Sequence, residues 1–152
     1  MSQTPHHYQR PAVQKNLLWK AIDEQDKGMV GYYLAVSDVN QWDGRNYSPL
    51  HAVLRNPRLH ECVFLMIQLR AQLNVVDEDQ RTPLMWAVHY GLNQEIDLML
   101  KMGASIEGID VHGKNIMDFI PEGASSIRFM IEKPWLEKQL NSSSSSIKFK
   151  RI

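Results

Sequence analysis

Six histidines and one cysteine are the side chains of this 152-residue chain best suited to acid–base, nucleophilic or metal chemistry. Their spacing supplies none of the usual arrangements. His60 and Cys62 lie two apart, so on a helix they would not share a face. Without a second Cys, a zinc site built on that pair is not expected. His6 and His7 are adjacent in a polar leader, where a metal site is equally unexpected. Cys62 as a nucleophile would need a nearby base and a lowered pKa, and the sequence shows neither. His51 as a general base would need a nucleophile to serve. No Gly-rich phosphate loop, no Gly-x-Ser-x-Gly and no His-Glu-x-x-His occurs. No catalytic, metal or cofactor-binding residue is therefore assigned, and no small-molecule substrate is implied.

Charge adds a second exclusion. Lys plus Arg and Asp plus Glu each number 17, so the formal charge is zero. Wholesale attraction to nucleic acid or an anionic membrane is disfavoured, because such proteins carry a clear positive excess. A basic cluster, Lys148, Lys150 and Arg151, closes the chain. Three charges are too few for tight nucleic-acid binding at physiological salt. Hydrophobic content of 43% is ordinary for a globular protein. No stretch approaches the 18 apolar residues of a membrane span, and no secretory h-region is visible over 1–16. The single Cys fits a reducing compartment, so a cytoplasmic location is expected.

The elements that would position any functional group are repeated. Ser48-Pro49-Leu50-His51 recurs 34 positions later as Thr82-Pro83-Leu84-Met85, and each is preceded at five residues by an Asp, Asp43 and Asp77. A weaker copy follows 33 positions on, with Asp110 before Asn115-Ile116-Met117-Asp118. A period in this range marks stacked supersecondary units, each too small to bury its own apolar face. Ser48 and Thr82 can cap helices, and Pro49 and Pro83 suit a first helical turn. Leu50, Val53 and Leu54, then Leu84, Ala87 and Val88, are the expected buried faces, with Met117 and Ile120 their counterparts in the fourth unit. Asn56-Pro57, Gly91 and Gly103 punctuate the helices. Pro121-Glu122-Gly123 should cut the fourth unit's first helix short. Pro134 should end its second helix, with Trp135-Leu136 folding back over the exposed end.

This pattern resembles the ankyrin repeat, whose motif runs Asp-x-x-Gly-x-Thr-Pro-Leu-His, two helices, Gly-Ala and an Asn shortly before the next Asp. The resemblance covers about 17–131. It implies an all-α solenoid of stacked helix-turn-helix units joined by β-turn loops, with repeats at about 17–42, 43–76, 77–109 and 110–133 and a cap to 140. A polar extended arm at 1–16 and a Ser-rich, basic, disordered tail at 141–152 would flank it. Departures from the motif are local: Asn46 and Gln80 stand where the turn Gly is usual, Met85 replaces the His, Arg70 replaces the Gly of Gly-Ala, and an extra residue falls near Arg58-Leu59. The family makes His51 a structural hydrogen-bonding residue between units.

The resemblance also implies function: a non-enzymatic module that binds another protein through loops and the exposed faces of the first helices, which together form a concave groove. Matching the motif places Trp42, Arg45 and Tyr47 on the first loop with Arg55 late on the next helix. It places Glu78, Asp79 and Arg81 on the second loop, with His89 and Tyr90 following, and Ile109, His112 and Lys114 on the third. Trp, Tyr and Arg are the types that dominate interface energy. Packing of Trp42 or Tyr47 on a neighbouring loop is the competing reading. The tail suggests two alternative functions. One is a bacterial effector exported through the tail, on a loose likeness of Ser142–Ser146 and Phe149 to a secretion signal. The other is an enzyme or nucleic-acid binder using the basic tail. The partner is expected to be a protein, and the chain alone a monomer.

Overall fold

The computed structural model describes the backbone of residues 10–148 and the side chains of residues 17–142. Among these, all regular structure is helical: α1 (Arg10–Asp23), α2 (Lys27–Val36), α3 (Pro49–Leu54), α4 (Val63–Gln68), α5 (Pro83–His89), α6 (Asn93–Lys101) and α7 (Ser125–Lys148), with 3-10 helices at Pro57–Cys62 and Ile116–Phe119. The chain divides into two compact units, 1–72 and 73–152.

In the first unit α1 packs on α2 and α3, and α2, α3 and α4 all pack on the 3-10 helix. Leu18, Trp19, Ala21 and Ile22 bury one face of α1, and Val30 and Leu34 that of α2. The turn between them is short because Gln25 takes a positive φ of 59° and the Asp26 carboxylate caps α2, accepting from the Met29 amide. Ser48 caps α3, and His51 returns a bond to the Ser48 amide, a reciprocal capping box. Leu50, Val53 and Leu54 are buried as expected. The extra residue near Arg58-Leu59 is taken up by the 3-10 helix, whose start Asn56 caps. Asn40 then links α2 to the end of α4: its amide group donates to the Arg70 carbonyl (3.1 Å) and its oxygen accepts from the Gln72 amide (2.8 Å).

The second unit uses the same devices. Thr82 caps α5, Pro83 occupies its first turn, and Leu84, Met85, Ala87 and Val88 are buried. Gly91 ends it with φ 72°. α6 buries Ile96 and Met99, and Asn74 repeats the role of Asn40 by accepting from the Ser105 amide at 2.8 Å and donating to the Gly103 carbonyl. The fourth repeat's first helix shrinks to the 3-10 helix before Pro121, and α7 packs on it and on α6 through Ile127 and Ile131.

Several expectations need correction. α1 begins at Arg10, inside the stretch expected to be an extended arm, with Pro11 in a first turn where its missing N–H costs nothing; residues 1–9 lie outside the described residues. Pro134 does not end a helix, since α7 runs through it and onward across the serines to Lys148. Proline removes one helical hydrogen bond and crowds the preceding turn, and Ile127 and Ile131 anchor the segment before it. Helix through 141–148 replaces the disorder expected there, while residues 149–152 lie outside the described residues. Met117 is only half-buried, and Ile116 takes the buried place, because a 3-10 helix at three residues per turn rotates successive side chains differently from an α-helix.

Candidate functional site

The phased aspartates build the loops. Asp77 is buried; its Oδ1 accepts from the amides of Asp79 (3.0 Å) and Arg81 (2.9 Å), and its Oδ2 from Trp86 Nε1 (2.8 Å). Asp110 repeats this 33 residues later, accepting from the amides of His112 and Lys114, both at 2.9 Å. Its second oxygen takes the Arg81 guanidinium at 3.2 Å. The two turns are joined by the Val111 amide donating to the Asp79 carbonyl. Burial pushes the Asp110 carboxyl up, but the amides of Lys114 and His112 and the Arg81 guanidinium outweigh it and hold its pKa below the ordinary value. The turn position itself has φ 63° at Gln80 and φ 77° at Gly113, so Gln80 adopts the backbone that the motif Gly would take. The first loop differs. Its positive φ falls at Gly44, and the Asp43 carboxylate holds the Arg45 amide (3.2 Å) and guanidinium (2.8 Å).

Two clefts open beside these loops, one per unit. The first, of about 230 Å³, is lined by Asp23, Arg45, Tyr47, Arg55 and neighbours. Arg45 is committed within the chain. It pairs bidentately with Asp23 at 2.7 and 2.8 Å and lies 4.3 Å over the Trp19 ring. The hydrogen bond from Arg45 holds the Asp23 carboxyl below its usual pKa against the modest burial there. Tyr47 packs edge-on against Trp19, and Arg55 lies 4.8 Å over Tyr47. Trp42 stands apart from this cluster, 47% exposed.

The second cleft, of about 340 Å³, is lined by Arg81, Trp86, His89, Lys114, Asp118 and Phe119. The Arg81 guanidinium lies 5.2 Å from the Trp86 ring and 5.3 Å from the Phe119 ring, so it forms a floor bound to Asp110. Trp86, His89 and Tyr90 make one aromatic group on α5, with centroids 4.9 to 6.2 Å apart. His89 and Lys114 are exposed at the rim.

The expected site residues thus separate. Arg81, His89 and Lys114 converge on one cleft, with Tyr90 against His89, while Arg45, Tyr47 and Arg55 converge on the other. Glu78, His112 and Ile109 are exposed on the loops outside both linings, Ile109 by 65%, and Asp79 is half-buried in the paired turns. Trp86 and Phe119 were missed. Trp86 precedes His89 by three and Tyr90 by four, the spacing of one helical face, and that signal was available in the sequence. His51 bonds Ser48 at its own helix start, with Nδ1 2.8 Å from the hydroxyl. Burial and the charge of Glu61 raise the Cys62 thiol pKa against the pull of Lys27, the opposite of an activated nucleophile. Among the described residues no group of three or more His, Cys, Asp or Glu could hold a metal ion. No helix there is long and apolar enough to cross a membrane.

The family profile for ankyrin repeats, in three copies, matches residues 12–117. The chain is a member of the ankyrin repeat family. Comparison with curated proteins returned no match. Ankyrin repeats generally act as protein–protein interaction modules and are typically not enzymes. The family's Asp, Thr-Pro-Leu, Gly-Ala and Asn positions account for the loops, caps and interhelical bonds just described, and the two clefts are made by the positions the motif leaves variable.

Proposed function

We propose that this ankyrin repeat protein is a non-enzymatic binding module that captures another protein on the loop and first-helix side of its second unit. The observation that carries the reading is the cleft formed by Trp86, His89, Lys114, Asp118 and Phe119 over the Arg81 floor. It joins aromatic walls to an exposed ammonium, and aromatic anchors in desolvated pockets supply most interface energy. A partner segment with an acidic side chain beside an aromatic or aliphatic one fits it, the acid meeting Lys114 and the apolar group meeting Trp86 and Phe119. The first unit contributes less. Arg45 is already held by Asp23 and Asp43, so freeing it for a partner would break bonds the fold uses.

The test is capture of the partner by wild type beside His89→Ala, Lys114→Ala and their combination, with each variant's fold checked by circular dichroism. The double variant should lose at least tenfold in affinity with an unchanged spectrum. Full retention of the partner by the double variant would place binding elsewhere.

A further inference from the structure

The C-terminal helix carries an apolar face that the fold leaves uncovered. Ile127 and Ile131 point into the second unit, while Phe129, Leu136 and Leu140 are 73%, 52% and 66% exposed. They line one shallow groove of about 310 Å³ together with Glu132, Lys133 and Glu137. Phe129 and Leu136 are seven residues apart, as are Lys133 and Leu140, so the stripe repeats with the period of a helix–helix seam. No residue of this stripe belongs to the cleft proposed for the partner.

We propose that this face pairs with the same face of a second copy of the chain, the two α7 helices lying antiparallel about a twofold axis near Trp135. The charge pattern selects the occupant. A twofold antiparallel pair brings residue i of one copy opposite a residue j of the other with a constant i + j, and it sets each flank of the seam against the same flank of its mate. With the axis near residue 135, Lys133 meets Glu137 of the second copy, and Glu137 meets its Lys133. In that register Phe129 falls one residue short of facing Leu140, Glu132 one residue away from facing Gln139, and the two Leu136 side chains flank the axis two residues apart. That alignment pairs Lys133 with Glu137 in both directions and keeps the apolar side chains of the two copies within one or two residues, about 1.5–3 Å, of facing one another. Within the described residues Lys133, Glu137 and Glu132 form no ion pair that would compete. Lys138, on the opposite side of the helix, is bonded to Glu107 and stays out of the seam.

The seam is short. Residues 125–142 span about 27 Å of helix, near the lower limit of area for a specific interface. The dimer is accordingly weak, with a dissociation constant on the order of 10–100 μM. It departs from the monomer expected from sequence, because the stripe lies on a helix that Pro134 was expected to cut.

Sedimentation equilibrium on the full chain from about 5 to 500 μM tests it, with Leu136→Glu, Lys133→Glu, Glu137→Lys and the double swap Lys133→Glu/Glu137→Lys. The wild type should pass from monomer to dimer across this range. Leu136→Glu and each single charge reversal should weaken association tenfold or more, and the double swap should recover most of it. All these positions are exposed or at the groove rim, so the fold should persist, checked by circular dichroism. A wild type that stays monomeric at 500 μM overturns the proposal, as does a dimer indifferent to Leu136→Glu. Failure of the double swap to rescue overturns the register.

Discussion

Removing the Asp77 carboxylate should unfasten the second loop from α5. The carboxylate is buried and accepts three hydrogen bonds, two from loop amides and one from the Trp86 indole. A hydrogen bond to a charged group contributes roughly 1.5–3 kcal/mol, and buried donors left without a partner cost about 1–3 kcal/mol each. The three share one acceptor and one loop, and water can reach part of the site once it opens, so the terms do not add. Asp77→Ala should therefore cost about 3 kcal/mol, a large fraction of a total of roughly 5–15 kcal/mol. Asp77→Asn separates the contributions. Its amide oxygen can still accept from the Asp79 and Arg81 amides, but its NH2 would face the Trp86 N–H, donor against donor. Its cost should be smaller, about 1–2 kcal/mol, and most of it should vanish on a Trp86→Phe background. Urea unfolding followed by circular dichroism gives the free energies, and amide exchange at Asp79 and Arg81 reports the loop. An Asp77→Ala variant within about 0.5 kcal/mol of wild type, the range of an unremarkable surface change, would refute the reasoning. So would an Asn variant as damaging as the Ala one.

Other outcomes follow from the same geometry. Leu84→Ala should cost about 2–5 kcal/mol by opening a cavity on the fully buried face of α5, read by urea unfolding. Thr82→Ala should cost on the order of 1 kcal/mol through the lost bond to the Met85 amide. Arg70→Gly should stabilise by a few tenths to about 1 kcal/mol, because Arg70 holds φ 69°, a conformation that costs a side-chain residue roughly 1–2 kcal/mol, partly offset by the greater freedom of glycine when unfolded; a destabilised glycine variant would count against that. Asp23 and Asp110 both have pKa values lowered by folding. Their stabilisation is therefore complete above the unfolded value of about 3.9 and is lost as pH falls through the lower folded values. Stability measured downward from pH 5 should fall, and Asp110→Asn should flatten that fall.

Much of the fold was legible because its punctuation is local. Ser48, Thr82, Pro49, Pro83, Gly91 and Gly103 act on the backbone within a few residues of themselves, so their spacing could be read directly as helix starts and stops. Even the departures follow local rules. Gln80 and Arg70 stand where glycine is usual, and both take the positive φ that glycine would have supplied. What sequence could not show was settled by tertiary packing. The anchoring of α7 by Ile127 and Ile131 lets the helix continue past Pro134, and nothing in the local sequence reports that anchor. The pairing of the loop arginines escaped the sequence for a related reason. Arg45 and Arg81 occupy loop positions that look free in one dimension, but each meets a carboxylate brought from about 20 to 30 residues away, at Asp23 and Asp110.

Those two ion pairs bear on where binding energy can arise. A partner that took Arg45 or Arg81 would have to replace bonds the guanidinium already makes, so the net gain is the difference between two similar interactions. A partner that meets Lys114 and His89 at the rim, or lays an apolar group on Trp86 and Phe119 above the Arg81 floor, displaces mainly water. The loop arginines are better understood as braces that hold the aromatic walls in place: Arg81 sits against both Trp86 and Phe119 while tied to Asp110. Replacing Arg81 would then reduce affinity indirectly, by loosening the cleft, and would lower stability as well. Replacing Lys114 would reduce affinity and leave stability unchanged. That contrast between the two cations separates support from contact, and it can be measured before the partner's structure is known.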